Sequence, residues 1–200
     1  MRCLMTPDFL ILSRQVNLLG CGFRFPPASP ETESVLAFFA LPAWAESWPG
    51  VAAVDLAPLV PHLRSLDRGA ITMAWQRLFA GPGAYPAPPW GSVYLDPEQV
   101  LRGCSTVALS HFLQREGLHL HTDSPEPPDH LGLMLFQAAV LAEEKRQAAL
   151  AELLDEHLLS WLPLFVRRLS QGESGGFYPA LAELTLMTVQ NTVTALKKPA

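Results

Sequence analysis

Apolar residues recur along this chain at the three- and four-residue spacing of helices, and no segment alternates apolar and polar as a half-buried strand does. No Asn-Gly or Asp-Gly pair offers a tight hairpin turn. The chain is therefore expected to be built from packed helices. Phe9 to Phe25 reads as the first, with Leu12, Val16, Leu19 and Phe23 on one face and Pro26-Pro27 ending it. Glu31 to Ala40 is a short second helix, closed by Leu41-Pro42. Val54 to Leu66 is a third, its regularity limited by Pro58 and Pro61, and Gly69 separates it from a helix carrying Trp75 and Phe79.

Asp96-Pro97-Glu98-Gln99 predicts a helix start. Asp96 can cap, Pro97 suits the first helical position, and Gln99 stands where a capping-box partner belongs. That helix should run to about Glu116, with Gly117 as its stop. Leu118 to Pro125 reads as a loop, followed by a helix from Pro127-Pro128 to about Glu144. The next, from about Arg146, carries Leu150, Leu154, Leu158, Trp161, Phe165 and Leu169, and Pro163 should break or kink it near Leu159 to Leu162. Gly172, Gly175 and Gly176 mark a loop before a last helix from about Pro179 to Lys197. The expectation is an all-α, single-domain bundle of roughly ten helices. It divides into an N-terminal group over about 1–122, a Pro-rich hinge at 123–128 and a C-terminal group over 129–200.

The stretch from Trp75 to Asp96, WQRLFAGPGAYPAPPWGSVYLD, is unusual for a connector. Trp75, Leu78 and Phe79 form a helical apolar stripe, a pattern that most often belongs to a core. The loop that follows carries Gly81, Pro82, Gly83, Pro86 and Pro88-Pro89 before Trp90. Proline fixes φ and removes a donor, so this loop is stiff, and a stiff aromatic loop loses little entropy when something docks on it. A Pro89-Trp90 pair at a surface suits contact with an extended apolar peptide more than chemistry. Asp129-His130 is expected in the first turn of a helix, where a carboxylate is favoured and a protonated imidazole is not. Asp129 then reads as a cap, His130 as a neutral neighbour, and Glu126 adds a second carboxylate upstream.

Composition excludes several classes. The chain is 49% hydrophobic and 16% charged, too apolar for disorder, with apolar surface to spare. A net charge of −5 and the lack of a Lys/Arg cluster argue against nucleic acid and suit a basic peptide. Cys3, Cys21 and Cys104 form no metal or redox spacing and read as buried free thiols in a reducing cytosol. Phe9 to Leu12 is too brief for a signal-peptide core, and the longest apolar run, Leu131 to Ala142, contains Gln137 and reads as a buried helix. The chain is thus expected to be cytoplasmic, with no stable membrane insertion. His111, His119 and His121, with Asp123 nearby, lack any accompanying ligand framework. The glycine-rich pieces do not form a P-loop, and Ser92, Ser105 and Ser110 lie in no GxSxG turn. No metal, cofactor or catalytic residue is assigned.

Two motifs carry a family resemblance. W-Q-R-L-F-x-G-P followed by P-P-W-G-S-V-Y-L-D, and then Glu126-Pro127-Pro128-Asp129-His130-Leu131-Gly132, stand in the order and separation found in the TorD/DmsD family of twin-arginine leader-binding chaperones. The chain most resembles the DmsD branch, over nearly its whole length. The resemblance implies an all-helical fold and a peptide-binding surface at Trp75, Leu78, Phe79, Pro89, Trp90, Glu126, Asp129 and His130. It implies a cytoplasmic chaperone that holds the twin-arginine leader of a molybdenum-cofactor reductase subunit, of the dimethyl sulfoxide reductase kind, until cofactor insertion and export. Components of the twin-arginine translocase are further implied partners. The match departs at Gly83, where the DmsD branch has a tryptophan. Two other readings remain at this point: a NarJ-like factor docking on the reductase body, and a metal- or nucleotide-dependent hydrolase using Asp129, His130 and the nearby histidines.

Overall fold

The computed structural model describes residues 7–82, 84–97, 101–119, 126–173 and 175–198. Among these residues all regular structure is helical: α1 (Phe9–Arg24), α2 (Pro30–Ala40), α3 (Ala53–Leu56), α4 (Val60–Arg64), α5 (Arg68–Trp75), α6 (Ser92–Leu95), α7 (Cys104–Arg115), α8 (Leu131–Glu143), α9 (Gln147–Glu152), α10 (Leu162–Gly172) and α11 (Phe177–Leu196). Two π-helical turns, Gln76–Ala80 and Leu153–Leu158, extend α5 and α9.

Local chemistry explains the starts and stops. Asp8 caps α1, its carboxylate accepting from the Leu10 N–H at 3.0 Å, and Ser29 caps α2 with Pro30 at its first turn. Gly117 takes φ +63°, and the Leu118 N–H returns to the Leu113 carbonyl at 2.8 Å, which closes α7 where the sequence indicates. Pro163 sits in the first turn of α10 and separates it from α9 as expected.

Four boundaries differ from expectation. The single helix expected over Val54 to Leu66 is two short ones, α3 and α4, with Pro61 opening the second. Gly69 lies inside the first turn of α5, which Asp67 caps through the Ala70 N–H at 3.1 Å. Asp96 does not start a local helix. It accepts from the Ser105 N–H at 3.0 Å and the Ser105 hydroxyl at 2.6 Å, so it serves the start of α7 across the intervening loop. Gln99, its expected capping-box partner, falls outside the described residues. Finally, α8 begins at Leu131, so Asp129 and His130 precede the helix rather than fill its first turn.

A core of buried side chains runs through α1, α2, α8, α9, α10 and α11, with Trp44, Trp161, Tyr178, Phe23, Phe39 and Phe165 among its largest members. Helices α1 and α8 approach each other closely. A Cβ on Gly132 would stand 2.9 Å from the Gly20 carbonyl oxygen and 2.8 Å from Arg24 Cβ. Only glycine permits that approach, and it fixes the N-terminal end of α8 against α1. The thiols differ from expectation: Cys21 is half-buried and Cys104, at the start of α7, is exposed, while Cys3 falls outside the described residues. No described helix is long and apolar enough to cross a membrane. The 123–128 segment is described only from Glu126 onward.

Candidate peptide-binding site

The end of the Pro-rich loop and the approach to α8 run antiparallel and meet as a short bridge between Trp90 and His130. The Leu131 N–H donates to the Pro89 carbonyl at 2.8 Å, and the Gly91 N–H donates to the Asp129 carbonyl at 3.1 Å. These two bonds lock the loop to the start of α8 and bring Pro89, Trp90, Asp129 and His130 together from segments far apart in the chain.

Each side chain then has a distinct part. Asp129 is 3% exposed, and its Oδ2 accepts from the Ser92 N–H at 2.8 Å and the Thr106 hydroxyl at 3.2 Å. Ser92 opens α6 and Thr106 lies in α7, so one carboxylate ties both helices to the α8 approach. The other oxygen, Oδ1, has no hydrogen-bond partner among the described residues. His130, 5% exposed, is the cap of α8: its Nδ1 accepts from the Gly132 N–H at 3.1 Å. That bond assigns the ring proton to Nε2. The expected order of the pair is thus reversed, with the histidine capping and the aspartate spent on tertiary contacts.

The His130 imidazole is neutral, as expected, but chiefly for another reason. Burial lowers its pKa to about 3, with the nearby Arg24 charge adding to the effect. An unfolded histidine titrates near 6.5, so below that pH the unfolded chain binds a proton that the folded one refuses. Stability attributable to this ring should fall as pH drops from 6.5 to about 3, by up to about 1.4 kcal/mol per unit. Melting curves at about pH 7 and about pH 5 should differ by roughly 2 kcal/mol more in the natural chain than in His130→Asn, which keeps a good cap and does not titrate. Equal pH slopes in the two proteins would show that His130 does not carry the effect.

Trp90 is half-exposed. Its Nε1–H donates to Glu126 Oε1 at 2.7 Å, its ring stacks on Tyr85 at 6.1 Å between centroids, and His130 meets it edge-on at 5.7 Å. Glu126 and Tyr85 are likewise half-buried. Beside them, Tyr85, Pro86, Ala84, Pro82 and the outer face of α5 line a groove of about 570 Å³, with Met73 67% exposed at its wall. Arg77 on the same wall pairs with Glu173 at 2.8 Å.

Trp75, Leu78 and Phe79 turn the other way. Trp75 and Leu78 are buried, Phe79 is half-buried, and Phe79 packs edge-on against Tyr178 at 5.2 Å and Phe23 at 6.2 Å. The stripe lines the core beneath the groove, and the outward residues of that helix are Thr72, Met73, Gln76 and Arg77. Pro89 is buried as well. Sequence reasoning assigns no site role to Tyr85 or Thr106, and weighs Ser92 only as a hydrolase serine. Tyr85 had a signal, an aromatic flanked by prolines in a stiff loop, whereas Ser92 and Thr106 are ordinary polar residues that only the fold brings to Asp129.

His111 is exposed on α7 and His119 is exposed after its end; His121, Asp123 and Gly83 fall outside the described residues. Among the described residues no three His, Cys, Asp or Glu side chains gather as a metal would need.

Comparison with known proteins places these features in a family. The model for the nitrate reductase delta subunit family matches residues 46–167. The chain is 43% identical over 177 residues to a protein named "Probable Tat proofreading chaperone DmsD" from Haemophilus influenzae, covering 87% of this chain and 86% of the relative. It is 38% identical to the Tat proofreading chaperone DmsD of Salmonella typhi, over 93% of this chain and 89% of that one. The chaperone protein TorD of a Shewanella species is 36% identical over 126 residues, 60% of each chain. A solved structure described as a redox enzyme maturation protein from Archaeoglobus fulgidus shares the fold, with a TM-score of 0.57, 18% identity and coverage of 93% of this chain and 94% of that one.

Proposed function

This chain belongs to the TorD/DmsD family of chaperones, and on that premise we propose that it binds the twin-arginine leader of a molybdenum-cofactor oxidoreductase subunit, of the dimethyl sulfoxide reductase kind, and holds it until cofactor insertion and export. The observation that carries this reading is the half-exposed Trp90 ring, held in place by Tyr85, His130 and Glu126 at the edge of an open, Met- and Tyr-lined groove. A twin-arginine leader has a basic end and an apolar middle. The apolar middle suits Trp90, Tyr85 and Met73, and the basic end suits Glu126 and Asp129. Apolar contact supplies most of the affinity, and charge sets orientation and on-rate.

The other residues act from beneath. Trp75, Leu78, Phe79 and Pro89 fix the floor under the loop, and His130 orders the start of α8 so that Trp90 has an edge to rest on. The action is reversible sequestration, in the cytoplasm before export, with no bond made or broken. Release to the twin-arginine translocase completes the proposed cycle. Hydrolysis is set aside, because the matched relatives are named chaperones and His130 is spent as a helix cap.

A NarJ-like role, docking on the reductase body, is the second reading, favoured by the delta-subunit description of the matching family model. Co-purification decides between them. The tagged chain should retain a molybdenum reductase catalytic subunit that carries its leader and lose the same subunit once the leader is deleted. Equal retention of both forms would replace leader capture with body docking.

A further inference from the structure

A second pocket, bordered by Asp129, shares no lining residue with the groove beside Trp90. Its volume is about 330 Å³, and Leu95, Ala108, Leu109 and Trp161 form its apolar walls. Its polar lining is Asp129, Glu156, His157, Ser105 and Ser160. Gly91, which follows Trp90 in the chain, also borders it. The approach there is close, since a Cβ on Gly91 would stand 2.8 Å from the Trp161 ring nitrogen.

Three observations set this pocket apart from an ordinary surface dent. First, Asp129 is buried as a residue and charged by type, yet among the described residues only Oδ2 is hydrogen-bonded and Oδ1 has no partner. A buried carboxylate oxygen without a donor is costly, so a group that supplies one is favoured. Second, the acidic and imidazole residues of the pocket, Glu156 and His157, are carried by a π-helical turn, Leu153–Leu158. Such turns re-aim side chains and concentrate at functional sites. Third, the lining is one-signed: Asp129 and Glu156 are carboxylates, and no Lys or Arg contributes to it among the described residues.

We propose that this pocket receives the guanidinium of an arginine from the bound leader, which rests on the leader-capture reading above. An arginine matches each part of the lining. Its apolar stem lies against Leu95 and Ala108, and its planar head can donate in a fork to Asp129 Oδ1 and Glu156. Burial keeps the half-buried His157 below its usual pKa, so the ring brings no competing positive charge at neutral pH. A lysine ammonium satisfies the charge but not the fork, and this difference makes the pocket selective for arginine.

The test is a double-mutant cycle read by calorimetric titration at low salt, with the full chain and a synthetic leader bearing two arginines, or one or both replaced by Gln or by Lys. Glu156→Gln is exposed and outside the core, so its fold should be unchanged by circular dichroism. It should weaken the two-arginine leader about threefold to fivefold and leave the Gln-substituted leader almost untouched. Ala108→Met narrows the pocket without altering charge, and it should likewise erase part of the preference for arginine over glutamine. Coupling in either variant supports the pocket. Additivity in both, with the leader still bound and still sensitive to Trp90→Ala, overturns the pocket and leaves leader capture standing. No binding of any leader by the natural chain overturns both.

Discussion

Asp129→Ala is expected to lower the melting temperature by about 4–10 °C, and Asp129→Asn by far less, while both lose most of the affinity for a leader. The alanine removes the acceptor for the Ser92 N–H and the Thr106 hydroxyl, leaving a buried donor at the start of α6 unsatisfied and cutting α7 loose from the α8 approach. A hydrogen bond to a charged group contributes about 1.5–3 kcal/mol, and the orphaned N–H adds to the loss. Asparagine keeps an oxygen that can face the Ser92 N–H, so the scaffold survives. It removes the charge, and with it the attraction for a basic peptide. The pair therefore separates architecture from recognition. Thermal denaturation and calorimetric titration of both variants are the measurements. A stable Asp129→Asn protein that binds the leader at full strength would remove Asp129 from recognition and leave it a purely structural tie.

Trp90→Ala should weaken leader binding by about 1–3 kcal/mol while leaving helix content unchanged. The ring lies outside the buried core; its neighbours are Tyr85, His130 and Glu126, each of them at the surface or at the start of α8. Its loss also frees Glu126 from the only side-chain donor recorded for it among the described residues. Aromatic anchors of this kind dominate binding surfaces because they bring a large area at little entropic cost. Loss of helical circular dichroism in the variant would mean that Trp90 holds up the fold. The groove would then need another anchor.

Much of the fold was legible because prolines and glycines punctuate the chain. Pro26-Pro27 ends α1, Gly117 stops α7 and Pro163 opens α10, and each acts through its own backbone, which the sequence displays directly. Errors arose wherever a side chain works at a distance. Asp96 looks like a local cap, yet its carboxylate serves Ser105 beyond a loop. Asp129 looks like the cap of α8, yet it is committed to Ser92 and Thr106, and the cap falls to His130. Capping rules see only the next three residues, so they cannot weigh a tertiary partner. The π-helical turns are not legible either, since apolar residues four apart, as at Leu150, Leu154 and Leu158, suit an α-turn and a π-turn alike.

The site was legible as a region. The pairing of Trp90 with Asp129-His130 came from motif resemblance, and the bridge between Trp90 and His130 explains why the two motifs keep company. Which way the side chains face was not legible. The stripe of Trp75, Leu78 and Phe79 reads from its spacing as core and from the resemblance as binding surface, and in the structure it lines the core while Met73 and Tyr85 face the groove. Glu156, His157 and Trp161 had no signal beyond the helical pattern, because only the packing of α6, α7 and the turn after α9 brings them to Asp129.

The most direct test is calorimetric titration of the natural chain with a panel of twin-arginine leaders from molybdenum reductases, repeated with Trp90→Ala. Saturable binding of at least one leader, weakened in a Trp90→Ala variant of unchanged helicity, is the predicted result. No heat with any leader, or binding indifferent to Trp90, would contradict capture of the leader at this surface.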